Sequence, residues 1–139
     1  MTFFFYTGIT VRDLDRSIKF YTEIMGMKLV DRVKNPYTNG EFAELVSREG
    51  ELPNLELNWY ADKKDYKNGD ELDHLGFLVE DAYKEIERFK KLGIEIAKEP
   101  YESKNHVIFF IKDPDGIWLE IISKKHKGAI PKNVDPYQR

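Results

Sequence analysis

The chain contains no cysteine. That excludes disulfide bonds, thiolate metal sites and a cysteine nucleophile. Long apolar runs are missing too. The N-terminal Phe3-Phe4-Phe5-Tyr6 is too short for a signal-peptide core or a membrane span, and no basic segment precedes it. The expected address is therefore the cytoplasm, with no membrane partner. Charge of one sign is not in excess either. A formal net charge of −3, from 22 Lys+Arg against 25 Asp+Glu, gives no reason to expect a nucleic-acid partner. The stretch from Lys124 to Lys132 is mildly basic and reads as a solvated end. What is present is 139 residues, 41% hydrophobic, enough for one soluble domain with a proper core.

Turn chemistry and apolar periodicity divide the chain. Residues 3–11 form a β-rich apolar run. Asp13 then offers a helix N-cap, Leu14, Ile18, Tyr21 and Met25 recur at helical spacing, and Gly26 ends the helix. Strands are expected over 27–33, 42–47 and 55–60, the first two joined through Asn35-Pro36 and Asn39-Gly40. Residues 61–73 are polar and read as an exposed connector. A strand over 74–79 follows, then a helix capped by Asp81 with Ala82, Ile86, Phe89 and Leu92 inward and Gly93 at its end. Strands over 94–97, 107–111 and 117–122 complete the series, and residues 124–139 form a tail. Asp113-Pro114-Asp115-Gly116 is a tight turn, with proline fixing φ and glycine free to take φ > 0.

The order strand, helix, three strands therefore occurs twice: module one over about 3–60, module two over about 74–123. Val11, Asp13, Ile18 and Tyr21 match Val79, Asp81, Ile86 and Phe89, each 68 residues later, and Gly26 matches Gly93 after a one-residue deletion. Leu55-Glu56-Leu57 matches Leu119-Glu120-Ile121 at a shift of 64. Such repeats mark structural units related by symmetry. Under this alignment Glu56 is equivalent to Glu120, and Tyr6 to His74. Two modules about a pseudo-two-fold axis would bring these four residues towards one point, a plausible site for a divalent metal. The imidazole favours Ni, Zn, Co, Mn or Fe over calcium. Each residue also has an ordinary reading. His74 could be a core or rim histidine, Glu120 an ion-pair partner and Tyr6 a packed aromatic, while Glu56 could lie on a wet face with Asn54 and Asn58. An ionised Glu120 between Leu119 and Ile121 nevertheless demands an answering group.

The sequence resembles the glyoxalase I (lactoylglutathione lyase) branch of the vicinal oxygen chelate superfamily. The resemblance runs from Phe5 to about Ser123. It is carried by Val11-Arg12-Asp13-Leu14-Asp15-Arg16-Ser17-Ile18-Lys19-Phe20-Tyr21, Gly26-Met27-Lys28-Leu29, Leu55-Glu56-Leu57, His74-Leu75-Gly76 and Asp113-Pro114-Asp115-Gly116 through Glu120. It implies an α+β fold of two βαβββ modules forming a cupped mixed sheet around a metal, in one domain, and a homodimer in which two chains complete two sites. It further implies that Glu56, His74 and Glu120 are metal ligands, with Tyr6 standing where the family has a histidine. Thr10 stands where members use an arginine near the glutathione carboxylate, and Tyr60 where many have an asparagine. Asn58 and Lys104 are the candidate substitutes.

The activity so implied converts a hemithioacetal of methylglyoxal, formed with glutathione or another thiol, into a 2-hydroxy thioester. The metal would be Ni or Zn first, with Co, Mn and Fe as further candidates. Glu120 would be the principal base and Glu56 its partner, with Trp59, Tyr60 and Trp118 as possible walls. The alternatives are a non-enzymatic small-molecule binding protein of the bleomycin-resistance kind, or another metalloenzyme of the superfamily: a thiol transferase, epimerase or dioxygenase.

Overall fold

The computed structural model describes residues 1–63 and 65–125. The tail expected from residue 124 lies outside the described residues after Lys125. The chain divides into two compact units, Met1–Asn68 and Gly69–Arg139, so the boundary falls inside the expected connector.

In the first unit, strand β1 (Thr7–Thr10) leads to helix α1 (Leu14–Lys19), which continues as a π-helical turn over Phe20–Ile24. Strands β2 (Lys28–Asn35), β3 (Gly40–Val46) and β4 (Leu55–Tyr60) follow. The sheet order is β1-β4-β3-β2, with β1 parallel to β4 and the other pairs antiparallel. The second unit repeats this with β5 (Leu75–Leu78), α2 (Ala82–Lys91), β6 (Ile96–Ser103), β7 (His106–Lys112) and β8 (Trp118–Lys124), in the order β5-β8-β7-β6. These are the two βαβββ modules of an α+β fold that the resemblance implies.

The repeat extends to single hydrogen bonds. Asp13 (φ −141°, ψ 105°) accepts from the Arg16 amide, and Asp81 (φ −146°, ψ 104°) accepts from the Tyr83 and Lys84 amides. Both caps satisfy donors that a helix N-terminus leaves open. Gly26 (φ 76°) and Gly93 (φ 72°) end the helices in the left-handed region, where a Cβ would be strained. The Val11 amide donates to the Asn58 carbonyl and the Val79 amide to the Ile122 carbonyl, both at 2.9 Å.

The one-residue deletion between the modules has a visible counterpart. Gly26 lies five positions after Tyr21, but Gly93 only four after Phe89. The extra residue is absorbed as the π turn, where the Met25 amide reaches back five residues to the Phe20 carbonyl.

Each sheet buries one face. In the first unit Ile9, Val11, Ala43, Leu45, Leu55 and Leu57 form it, with α1 against β3 and β4 and with Leu14, Phe20 and Tyr21 buried from the helical segment. In the second, Val107, Phe109, Ile111, Leu119 and Ile121 lie with Ala82, Ile86 and Phe89 of α2; the Phe89 and Phe109 rings meet edge-on at 6.0 Å. Burial of each large apolar side chain contributes roughly 1.5–3 kcal/mol. Strand alternation sends Glu56 and Glu120 to the opposite faces of their sheets.

Several expectations need correction. Residues 3–6 are not strand: among the described residues β4 is the ladder partner of β1 and begins at Leu55, so the ladder does not reach back to Phe3, and Phe3 to Tyr6 are exposed. Leu92 is exposed at the C-cap of α2 rather than inward. In α1 the inward positions are Leu14, Ser17, Phe20 and Tyr21, while Ile18 is only half-buried. Strand β6 runs well past residue 97 and through Pro100; it is an edge strand, and register shifts accommodate the ring between Lys98 and Tyr101. The connector is not merely solvated: Arg12 donates to the Tyr66 carbonyl at 2.9 Å and lies over its ring, and the Tyr66 hydroxyl is buried. Among the described residues, no helix is long and apolar enough to cross a membrane.

Candidate functional site

The Asp113–Gly116 turn fixes where Glu120 stands. The Asp113 carboxylate accepts from the Asp115 and Ile117 amides, both at 2.9 Å, while Gly116 takes φ 88° and donates to the Asp113 carbonyl. Asp113 is only 5% exposed. This closed loop sets the register Lys112↔Trp118 and therefore Phe110↔Glu120 between β7 and β8. Leu119 and Ile121 point into the core, while Trp118, Glu120 and Ile122 share the other side, so the apolar neighbours of Glu120 on its own face are Trp118 and Ile122.

His74 ends the connector one residue before β5, on the same alternation as Gly76, which is the parallel register partner of Glu120. Gly76 carries no side chain on this face, and the Glu120 carboxylate meets the imidazole of His74, two residues earlier. Glu120 Oε2 lies 2.7 Å from His74 Nε2. The imidazole also meets the Phe110 ring edge-on at 5.5 Å, and Phe110 in turn lies 5.5 Å from Trp118. His74 is thus the polar partner of Glu120.

The first unit builds the counterpart at equivalent positions. Gly8 is the parallel register partner of Glu56, and Tyr6 stands two residues before it. The Tyr6 phenol is hydrogen-bonded to Glu56, and its pKa is raised above the ordinary 10.0. The Glu56 charge is the main cause, followed by desolvation, that hydrogen bond and the charge of Glu44. Tyr6 is 43% exposed and so is not a core aromatic, although its ring meets that of Phe5 edge-on at 5.1 Å. Glu44 is the antiparallel partner of Glu56 on β3, placing two carboxylates opposite each other, an arrangement costly without a cation or donor nearby.

The structure therefore pairs Tyr6 with Glu56 and His74 with Glu120. Within each unit, among the described residues, no three His, Asp or Glu side chains stand together as a metal cluster. The donor chemistry of the pairs suits a divalent transition metal.

Of the expected wall residues, Trp118 shares the Glu120 face and is 40% exposed, Tyr60 shares the Glu56 face, and Trp59 lies on the core-facing alternation of β4. Thr10 and Asn58 are register partners beside Glu56, while Lys104 sits at positive φ (54°) in the turn between β6 and β7. Sequence reasoning missed three residues. Asp73 lies 2.5 Å from His74 Nδ1, Phe110 packs on the His74 ring, and Glu44 faces Glu56. The signal for Asp73 was its adjacency to His74. For Phe110 and Glu44 it was the alternation of β7 and β3, which becomes informative only once the register to the neighbouring strand is known.

The Glyoxalase/Bleomycin resistance protein/Dioxygenase superfamily model matches residues 4–121. A probable lactoylglutathione lyase of Synechocystis sp. is 37% identical over 132 residues, covering 90% of this chain and 98% of that protein. A lactoylglutathione lyase of Haemophilus influenzae is 36% identical over 125 residues, covering 86% and 91%. Among solved structures, the trypanothione-dependent glyoxalase I of Leishmania major superposes with a TM-score of 0.76 at 31% identity, covering 90% of this chain and 88% of that one.

Proposed function

The chain belongs to the Glyoxalase/Bleomycin resistance protein/Dioxygenase superfamily, and we propose that it is a glyoxalase I-type lyase. Its substrate is the hemithioacetal of a small 2-oxoaldehyde such as methylglyoxal, and its product the 2-hydroxy thioester. One observation carries this reading: two equivalent pairs at matching positions of the two modules, Tyr6–Glu56 and His74–Glu120, the second with its donor atoms 2.7 Å apart. The similarity to lactoylglutathione lyases over most of the chain supports it.

Glu56, His74 and Glu120 would hold a divalent metal, with the Tyr6 oxygen at the fourth position. Nickel and zinc suit the one-nitrogen, three-oxygen set best, with cobalt, manganese and iron as further candidates. When bound, the metal supplies Lewis acidity to the two adjacent oxygens of the substrate. The chain's own groups move the proton. Glu120 takes the C1 hydrogen as a proton, leaving its electron pair to shift toward the neighbouring carbonyl. The same proton returns to C2 and the C1 hydroxyl proton passes to the C2 oxygen, so the aldehyde carbon ends as the thioester carbonyl and the ketone carbon as the alcohol, with no external oxidant or reductant. Glu56 is the matching base on the other face. Trp118 and Phe110 shield the Glu120 side from water.

Glutathione is the proposed thiol. Thr10 in place of the family arginine shifts recognition of its carboxylates to Asn58 and Lys104, and another thiol is the alternative. The protein is proposed to act in the cytoplasm as a single domain per chain and as a homodimer, in which half-sites of the two copies complete each other. A non-enzymatic binding role would be favoured by Tyr6 alone, since a phenol is a weaker ligand than an imidazole.

The test is isomerase activity toward methylglyoxal with glutathione and other thiols, after separate loading with nickel, zinc, cobalt, manganese and iron. Turnover with one metal and one thiol is expected. No turnover with any combination would refute the assignment.

A further inference from the structure

We infer that Asp73 is a positioning residue that orients the imidazole of His74 toward the metal. The inference rests on the proposed metal site. The observation behind it is direct: Asp73 Oδ1 lies 2.5 Å from His74 Nδ1, while Nε2 faces Glu120 at 2.7 Å. The two ring nitrogens are thereby divided. One is committed to a carboxylate from the connector, the other to the carboxylate of the half-site.

The ring has few other restraints. His74 precedes β5, so its side chain is not held by strand packing on both sides, and one third of it is exposed. Phe110 meets the ring edge-on and limits its tilt, but an edge-on contact does not distinguish Nδ1 from Nε2. Rotation by half a turn about the Cβ–Cγ bond would keep much of the Phe110 contact and turn a carbon toward Glu120. An anion at Nδ1 removes that option. It takes the Nδ1–H, leaves the Nε2 lone pair free for the ion, and increases the basicity of the ligating nitrogen. Since Asp73 is the immediate neighbour of His74 in the chain, this support comes from the connector itself.

The size of the effect follows from exposure. Outer carboxylates on metal-bound histidines are worth about 10- to 100-fold in metal affinity. The Asp73 side chain is 91% exposed and competes with water, which places it at the low end, about tenfold.

The experiment measures nickel and zinc affinity of the full chain by competition with a chromophoric chelator. Asp73→Ala is expected to bind about tenfold more weakly than the wild type. Asp73→Asn, which keeps an acceptor oxygen without the charge, should fall between them. Asp70→Ala, an exposed aspartate on the same connector, should match the wild type. Unfolding midpoints of the metal-free proteins should coincide, since Asp73 lies on the surface. Nitrogen-labelled histidine NMR gives a second readout: the metal-loaded wild type should show His74 protonated at Nδ1, and Asp73→Ala a loss of that single tautomer. A wild type that binds metal while Asp73→Ala binds it equally, with the same tautomer, would overturn the role of Asp73 and leave the metal site standing. A wild type that binds neither metal would overturn both.

Discussion

Asp113→Ala tests whether the Asp-Pro-Asp-Gly turn holds Glu120 in place. The carboxylate accepts two backbone amides at 2.9 Å from a position 5% exposed, so water has little access to replace it. Each hydrogen bond to a charged group contributes roughly 1.5 kcal/mol at the low end of the usual range, so the pair is worth about 3 kcal/mol. For a chain of 139 residues, that lowers the unfolding midpoint by about 10 °C. Asp113→Asn keeps one carbonyl oxygen able to accept both amides and should lose only about 1 kcal/mol. The assay is thermal unfolding of the metal-free protein by circular dichroism. Because the turn sets the register that puts Glu120 opposite Phe110, activity of Asp113→Ala should also fall at temperatures where it remains folded. An Asp113→Ala midpoint within about 2 °C of the wild type would refute the reasoning, since one buried and one part-buried amide would then have lost their acceptor at no cost.

Three further outcomes are expected. Glu120→Gln should lower kcat/KM toward a methylglyoxal hemithioacetal by about 10²- to 10⁴-fold, the usual contribution of a positioned base; a smaller loss in steady-state kinetics would move the base elsewhere. Tyr6 titrates higher in the folded chain than its ordinary 10.0, chiefly because of the Glu56 charge. The stability this represents is fully present below that ordinary value and is lost as pH rises through the raised one. Relative to Tyr6→Phe, the wild type should therefore lose stability above about pH 10 in denaturant titrations; parallel curves would argue against it. Gly76→Val should fold, because a Cβ there meets nothing within 4 Å, but its branched side chain would add bulk on the face that carries Glu120 and His74. Chelator competition should show metal affinity falling on the order of tenfold, the cost of a disturbed ligand geometry; unchanged affinity would show that the site tolerates the bulk.

Much of the architecture was legible because it is written twice. The equivalence of Asp13 with Asp81 and of Gly26 with Gly93 follows from cap chemistry, and both pairs adopt matching backbone angles. The shifts of 68 and 64 reappear as the registers Gly8↔Glu56 and Gly76↔Glu120. Local patterns failed where ladder partners decide. Phe3 to Phe5 have strong strand propensity but no strand beside them, and Pro100 looks like a terminator until β6 is seen to be an edge. The π turn was hidden because a one-residue offset in an alignment has no conformation of its own. The candidate residues themselves were legible, but not their partners. The pairing of Tyr6 with Glu56 rather than with core aromatics depends on β1 beginning at Thr7. Asp73 was passed over as one more charge in a polar connector.

The central claim is that side chains from both units hold one ion, and metal stoichiometry tests it most directly. Protein purified without chelator and loaded with nickel or zinc is expected to retain one ion per chain, and Glu56→Gln and Glu120→Gln should each release that same ion. Retention of the full complement by either variant, or a wild type that retains none, would contradict it.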